Sequence, residues 1–198
     1  MTKATLGTLI GLLAGAAMLA GCTAKSTLLS SKALVDAPVT FERATIQLQT
    51  YPTWGDRHRK QVAGAVKKAL GKHGVEADYV ILTEETLNPE RLVEDAATQN
   101  ASTHILAVAQ VSEQYNPDLL GRSNANWDSR LLQFACTLEA CGSREVVWKG
   151  VVQVDPADYG LVNGLDSVGG ALASGIEKEL VKLGFLTPVA EKRGPHGD

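Results

Sequence analysis

Aromatic residues are scarce in this chain: three Phe, three Trp and four Tyr among 198 residues. So few rings offer no stacking platform for bases. A formal net charge of −3 likewise lacks the basic footprint that a phosphate backbone requires. Nucleic acid is therefore not an expected partner. Catalytic motifs are missing too. Ser174, in "LASGIE", lacks the first glycine of G-x-S-x-G and falls within a helical stretch. H-E-x-x-H does not occur, and "GAVKKALGK", from Gly64, has the wrong spacing for a phosphate loop. Asp155, Asp158, Asn163 and Asp166 do not follow the EF-hand pattern and read as a solvated, helix-capping cluster. His104 opens an apolar strand, where a satisfied structural histidine is expected rather than a base. The residues predict no catalytic group, no metal and no cofactor, although scattered residues can assemble a site that no motif announces.

There is one long apolar run, from Leu6 to Ala20, preceded by Lys3. As a helix of about fifteen residues it would reach about 22 Å, short of a hydrocarbon core of about 30 Å. It reads as the core of a signal peptide rather than a membrane span. The run closes on Leu19-Ala20-Gly21-Cys22. That string resembles the lipobox of bacterial lipoproteins; an ordinary signal peptide with a stray cysteine is the alternative. The resemblance implies that residues 1–21 are removed and that Cys22 is lipidated as the new amino terminus. It further implies a chain held by lipid in the bacterial cell envelope. Thr23, in place of Asp, is consistent with the outer membrane, facing the periplasm. Each buried methylene of an acyl chain contributes about 0.8 kcal/mol, and several chains anchor firmly where one does not. Loss of the leader, whose only charged residue is Lys3, leaves 18 basic against 22 acidic side chains.

Three further segments follow. "TAKSTLLSSKALVDAP" is rich in Ser, Thr and Ala and lacks a clean period, so residues 22–38 are expected to form the lipidated terminus and a flexible tether. Residues 39–187 are long enough for a single globular domain with its own core. The tail "PVAEKRGPHGD", residues 188–198, is expected to be disordered.

Within the domain, "ATIQLQTY" alternates as a half-buried strand. Asp56 can cap a helix to about Lys72 whose inward face holds Val62, Ala65, Val66, Ala69 and Leu70. "DYVILT" is a short strand. Asn88 and Pro89 then open a helix with Leu92, Val93, Ala96 and Ala97 inward. "STHILAVAQV", apolar on both faces, reads as a central strand. "NWDSRLLQFACTL" and "SREVVWKGVVQV" read as a hairpin, with Val146, Trp148, Val152 and Val154 on one face. A helix from about Leu165 to Leu183 closes the chain. Gly169, Gly170, Ala171, Ala173 and Gly175 give it small sides suited to close packing. The fold class expected is α/β, an α+β mixed sheet in the order β-α-β-α-β-β-β-α with helices packed on one sheet.

This order resembles the anticodon-binding-domain-like α/β unit of small envelope lipoproteins, such as the curli-secretion lipoprotein and the outer-membrane activators of penicillin-binding proteins. "VVWKG", Val146 to Gly150, is also similar to the Trp-x-Gly strand of lipoproteins with domains of unknown function. The resemblance implies a fold and leaves the task open.

Three features remain as candidates. Cys136 and Cys141 flank the expected hairpin turn, and an oxidising compartment favours a disulfide between them; separate thiols or a metal or redox role are the alternatives. Arg57, Arg59, Lys60, Lys67, Lys68 and Lys72 put six cations on the first helix against one acid. That is either a solvated face or the docking face for an anionic envelope component or protein. The loop "YNPDLLGRSNANW", residues 115–127, offers Leu119, Leu120 and Trp127 as apolar contacts or as core residues. The reading that follows is a non-catalytic binding or scaffolding module. The alternative is a cell-wall or glycan-processing enzyme whose site carries no recognisable motif.

Overall fold

The computed structural model describes residues 24–115, 130–155 and 164–189. In chain order these form β1 (Lys25–Ala33), β2 (Arg43–Gln49), α1 (Asp56–Gly71), β3 (Glu76–Leu82), α2 (Pro89–Gln99), β4 (His104–Tyr115), β5 (Arg130–Ala140), β6 (Val146–Asp155) and α3 (Gly164–Lys182). The mixed α/β class expected from the periodicity is observed. One open sheet runs in the order β1-β6-β5-β4-β2-β3. β2 lies parallel to β3 and to β4, and the remaining pairs are antiparallel.

Lys25–Ala33 is a correction to the expected tether. It is an edge strand, paired along its length with β6 from Lys25↔Asp155 to Ala33↔Trp148. Its sequence hides this because the register shifts between Leu28 and Ser30, so two adjacent leucines break the alternation. Leu28 packs toward the core and Leu29 is exposed.

The connections of the parallel strands place the helices. β2 passes through α1 outward to β3, and β3 passes through α2 back across β2 to β4. Crossovers of one hand running in opposite directions leave their helices on opposite faces. α1 and α3 accordingly share the main core with Ile46, Leu48, Leu106, Val108, Phe134, Leu138, Trp148 and Val152. α2 closes a smaller cluster of Val93 and Ala97 on Leu82 and Ile105. Leu92, expected inward, is 43% exposed. Beyond α2, that second face carries half-buried Ala135, Thr137, Val151 and Gln153 of β5 and β6.

The small sides of α3 permit two close approaches. A β-carbon at Gly169 would meet the Val62 Cα of α1 at 3.1 Å; one at Gly175 would meet Val152 Cγ1 at 3.0 Å and Ser26 Oγ at 3.1 Å. One helix thus rests on α1 and on the β1–β6 pair together.

The strand ends give the domain a polarity. β1 enters at the end where the parallel strands finish, and that same end holds the 50–55 turn and the 83–88 loop.

Candidate functional site

The basic helix is divided by its surroundings. Its stripe of Val62, Ala63, Val66, Ala69 and Leu70 is buried as the period requires. Arg59 is buried with it, which corrects its expected place on the outer face. Its Nε donates to Thr50 Oγ1 at 3.2 Å, its Nη1 to Asp56 Oδ1 at 3.4 Å, and its Nη2 to the Pro52 carbonyl at 3.4 Å. Arg59 therefore fastens the turn between β2 and α1. Asp56 is the first residue of α1 rather than its cap: Gly55 stands at the cap position, with no side-chain hydrogen bond.

Two further cations are paired. Lys67 Nζ stands 3.4 Å from Asp78 Oδ1 and 6.0 Å from the Tyr79 ring centre. Lys72 Nζ donates to Glu177 Oε2 at 2.9 Å, and His73 Nε2 lies 3.1 Å from Glu177 Oε1. The other nitrogen of His73 lies 2.7 Å from the Thr187 carbonyl oxygen. Burial pushes the Glu177 carboxyl up, but the hydrogen bonds and charges of Lys72 and His73 outweigh it and hold the group below its ordinary value. Arg57, Lys60 and Lys68 remain exposed, with no ion pair among the described residues. The six-residue candidate face reduces to these three open cations.

The cysteines do not pair. Cys136 and Cys141 are both free thiols. Cys136 lies in the interior of β5, opposite Val108 and Gly150, and faces the main core. Cys141 follows the strand and packs against the smaller cluster. A separation of five along an extended chain points two side chains to opposite faces and sets their Cα atoms roughly 16 Å apart, well beyond the roughly 7 Å limit for a bridge. Burial pushes the Cys136 thiol up to about 12. Burial also raises Cys141, opposed by Arg144 and aided by Glu139.

His104 is half-buried, as a structural histidine should be. Its ring lies 4.9 Å from that of Phe41, and its Nδ1 is 3.1 Å from Thr103 Oγ1. Burial lowers its tendency to hold a proton.

One concave feature was not legible in any motif. A cavity of about 200 Å³ lies between α2 and the sheet, lined by Gln47, Gln49, Leu82, Glu90, Val93 and Glu139 among others. Arg144, at positive φ in the β5–β6 turn, reaches 2.8 Å from Glu139 Oε1 and 3.6 Å from Glu94 Oε1. It ties the turn to α2 across one side of this cleft. Its contributors come from β2, β3, α2, β4, β5 and a turn, so no local spacing betrays it.

Cys22, Leu119, Leu120, Trp127, Asp158 and Asn163 lie outside the described residues. Asp166 falls in the first turn of α3 and Asp155 ends β6 opposite Lys25.

No known family matches the chain. No curated protein matches it either. Among solved structures it is similar to the PelC dodecamer from Paraburkholderia phytofirmans, at 17% identity and a TM-score of 0.47, with 81% of this chain and 96% of that one covered. It is also similar to the lipoprotein GNA1162 from Neisseria meningitidis, at 10% identity and a TM-score of 0.40, covering 71% of this chain and 96% of that one. Protein XCC0632 from Xanthomonas campestris gives 10% identity and a TM-score of 0.40, with 79% and 90% covered.

Proposed function

We propose that this chain is a lipid-anchored module of the bacterial envelope, held at the periplasmic face of the outer membrane, that binds or scaffolds another envelope component. The observation that supports this best is the short path from the lipobox-like string to the sheet. Cys22 ends that string, and Lys25 is already paired to Asp155. An acylated Cys22 would therefore join the bilayer to a paired strand, with no long tether between them. Such a connection suits a module that holds a partner at the membrane. Among the described residues of α1, Arg57, Lys60 and Lys68 are the cations left without an ion pair to meet an anionic partner, whether lipid head group, polysaccharide or acidic protein.

Mass spectrometry of the membrane-extracted protein tests the anchor. The expected result is an acylated amino-terminal peptide beginning at Cys22, with loss of membrane fractionation in Cys22→Ser. An intact Met1 terminus, or a Cys22→Ser chain that still fractionates with membranes, would overturn it. Crosslinking in intact envelopes then tests the partner. Lys60→Glu with Lys68→Glu should reduce its recovery, and salt should reduce recovery by the parent protein, because the Debye length shrinks from about 10 Å at 0.1 M to about 3 Å at 1 M. Unchanged recovery with an unchanged salt response would make these lysines a solvated face only.

The cleft beneath α2 favours the enzymatic reading, since Glu90 and Glu139 both line it. Its volume is below the roughly 300–1,000 Å³ of ordinary ligand pockets, however. The Glu139 carboxylate is moreover engaged by Arg144. The binding role is the better supported of the two. Glycan hydrolysis abolished by Glu139→Gln would reverse that order.

A further inference from the structure

We infer that the domain stands on the bilayer by one particular end: the end where the parallel strands finish, carrying Tyr51, Leu87 and Val111. The inference rests on the anchoring proposed above and adds an orientation to it. Three Cα steps separate Cys22 from Lys25, a reach of at most about 10 Å. Lys25 sits at the entry of β1, opposite Asp155 at the carboxyl end of β6. The nine residues of β1 carry the chain about 30 Å down the sheet before it turns. A lipid at Cys22 thus holds the entry end against the membrane and leaves the opposite end, with Gly71 and Lys72 at the foot of α1, about one strand length away.

The surface at the held end has apolar groups that the fold does not use. Leu87 and Leu92 occupy the positions flanking the Asn88 cap where a hydrophobic staple would close over the start of α2. The staple is open: Leu87 is 91% exposed and Leu92 is 43% exposed. Tyr51 and Val111, joined by a hydrogen bond from the Tyr51 hydroxyl to the Val111 carbonyl oxygen, are exposed beside the same strand ends. Among the described residues, charge does not select this end: Asp56, Glu84, Glu85 and Glu90 share it with Lys25, Arg57 and Lys60, and all seven are exposed. The short anchor sets the orientation, and the exposed apolar groups meet the interfacial layer once it has been set. The occupant of this surface is accordingly the bilayer that receives the lipid, and its contact should be indifferent to salt.

Site-specific quenching tests the orientation. Full-length lipidated protein is reconstituted into phosphatidylethanolamine and phosphatidylglycerol vesicles carrying a nitroxide on the head group. A fluorophore is placed on Leu87→Cys or on Gly71→Cys in a Cys141→Ser background; Cys136 is buried, and a β-carbon at Gly71 meets nothing within 4 Å. The expected outcome is a loss of fluorescence at 87 and none at 71, unchanged at 1 M salt. A chain that floats with the vesicles yet is quenched equally at both positions, or more strongly at 71, overturns the orientation while the anchor stands. A loss at 87 that disappears at 1 M salt overturns the anchor-set contact in favour of a charge-held one. A chain that does not float overturns the anchor and the orientation together.

Discussion

The indole of Trp148 occupies the space that a side chain at Gly150 would need. A β-carbon at 150 would stand 2.6 Å from Trp148 Cζ2 and 3.3 Å from the Ser30 carbonyl oxygen. Trp148 itself is fully buried, and its Nε1 donates to Ser31 Oγ at 2.9 Å. The Trp-x-Gly string is thus a packing unit that closes β6 onto β1. Trp148→Ala should cost about 3–5 kcal/mol, as large core truncations do. Gly150→Ala should cost about 1–3 kcal/mol by overpacking. Thermal melting of both variants checks this, and a wild-type midpoint for either would show the indole to be free of that contact.

The edge strand provides a second expectation. Ser31→Ala removes the acceptor for the buried indole N–H and should cost about 1 kcal/mol. A chain beginning at Leu34 loses the whole β1–β6 ladder and uncovers Trp148. Its tryptophan emission should shift to longer wavelength and its melting point should fall. A flexible tether would leave both unchanged, so the truncation discriminates directly.

Neighbouring cations on α1 should behave differently. Arg59→Ala abandons hydrogen bonds to Thr50, Asp56 and the 50–55 backbone, and charged hydrogen bonds of this kind are worth about 1.5–3 kcal/mol together with their desolvation cost. Lys60→Glu and Lys68→Glu, both exposed, should each change stability by no more than about 0.5 kcal/mol. Denaturant titration of the three variants reads the contrast.

Glu177 predicts an acid dependence. Lys72 and His73 hold its carboxyl below the ordinary value of 4.5 in the folded state. A depressed folded value contributes stability that is present above 4.5 and is lost as pH falls through the lower folded value. Glu177→Gln should therefore be less stable than the parent at pH 7, by about 1 kcal/mol because Lys72 is half exposed. That deficit should shrink once the pH falls below 4.5. Chemical denaturation at pH 7 and at pH 3.5 measures it, and an equal deficit at both would assign the loss to packing.

Much of the architecture can be read from local spacing alone. The stripe of Val62, Val66 and Leu70 faces the core of α1, and the parallel β2, β3 and β4 alternate with helices as the element order implied. Pro89 opens α2, and the alternation that buries Trp148, Val152 and Val154 is visible without coordinates. Val146 departs from that set because the ladder shifts between Leu138 and Glu139, which pairs Val146 with Glu139 and turns it to the other face. These patterns survive reading because each is set by neighbours within one or two turns or a few strand residues.

What the tertiary structure decided concerns partners far apart in the chain. β1 is a strand because β6, more than a hundred residues later, supplies its ladder; its own Ser/Thr-rich, bulged sequence carries no such instruction. Arg59 resembles Lys60 in sequence, and only the folding of the 50–55 turn back onto α1 buries one and leaves the other in water. Cys136 and Cys141 sit close in number, yet the two-residue period of a strand sends them to opposite faces, so proximity in sequence became separation in space. The cleft beneath α2 gathers side chains from elements whose adjacency is a property of sheet order. Local periodicity follows from the geometry of one backbone segment, whereas pairing, burial and convergence follow from which distant surfaces exclude water together.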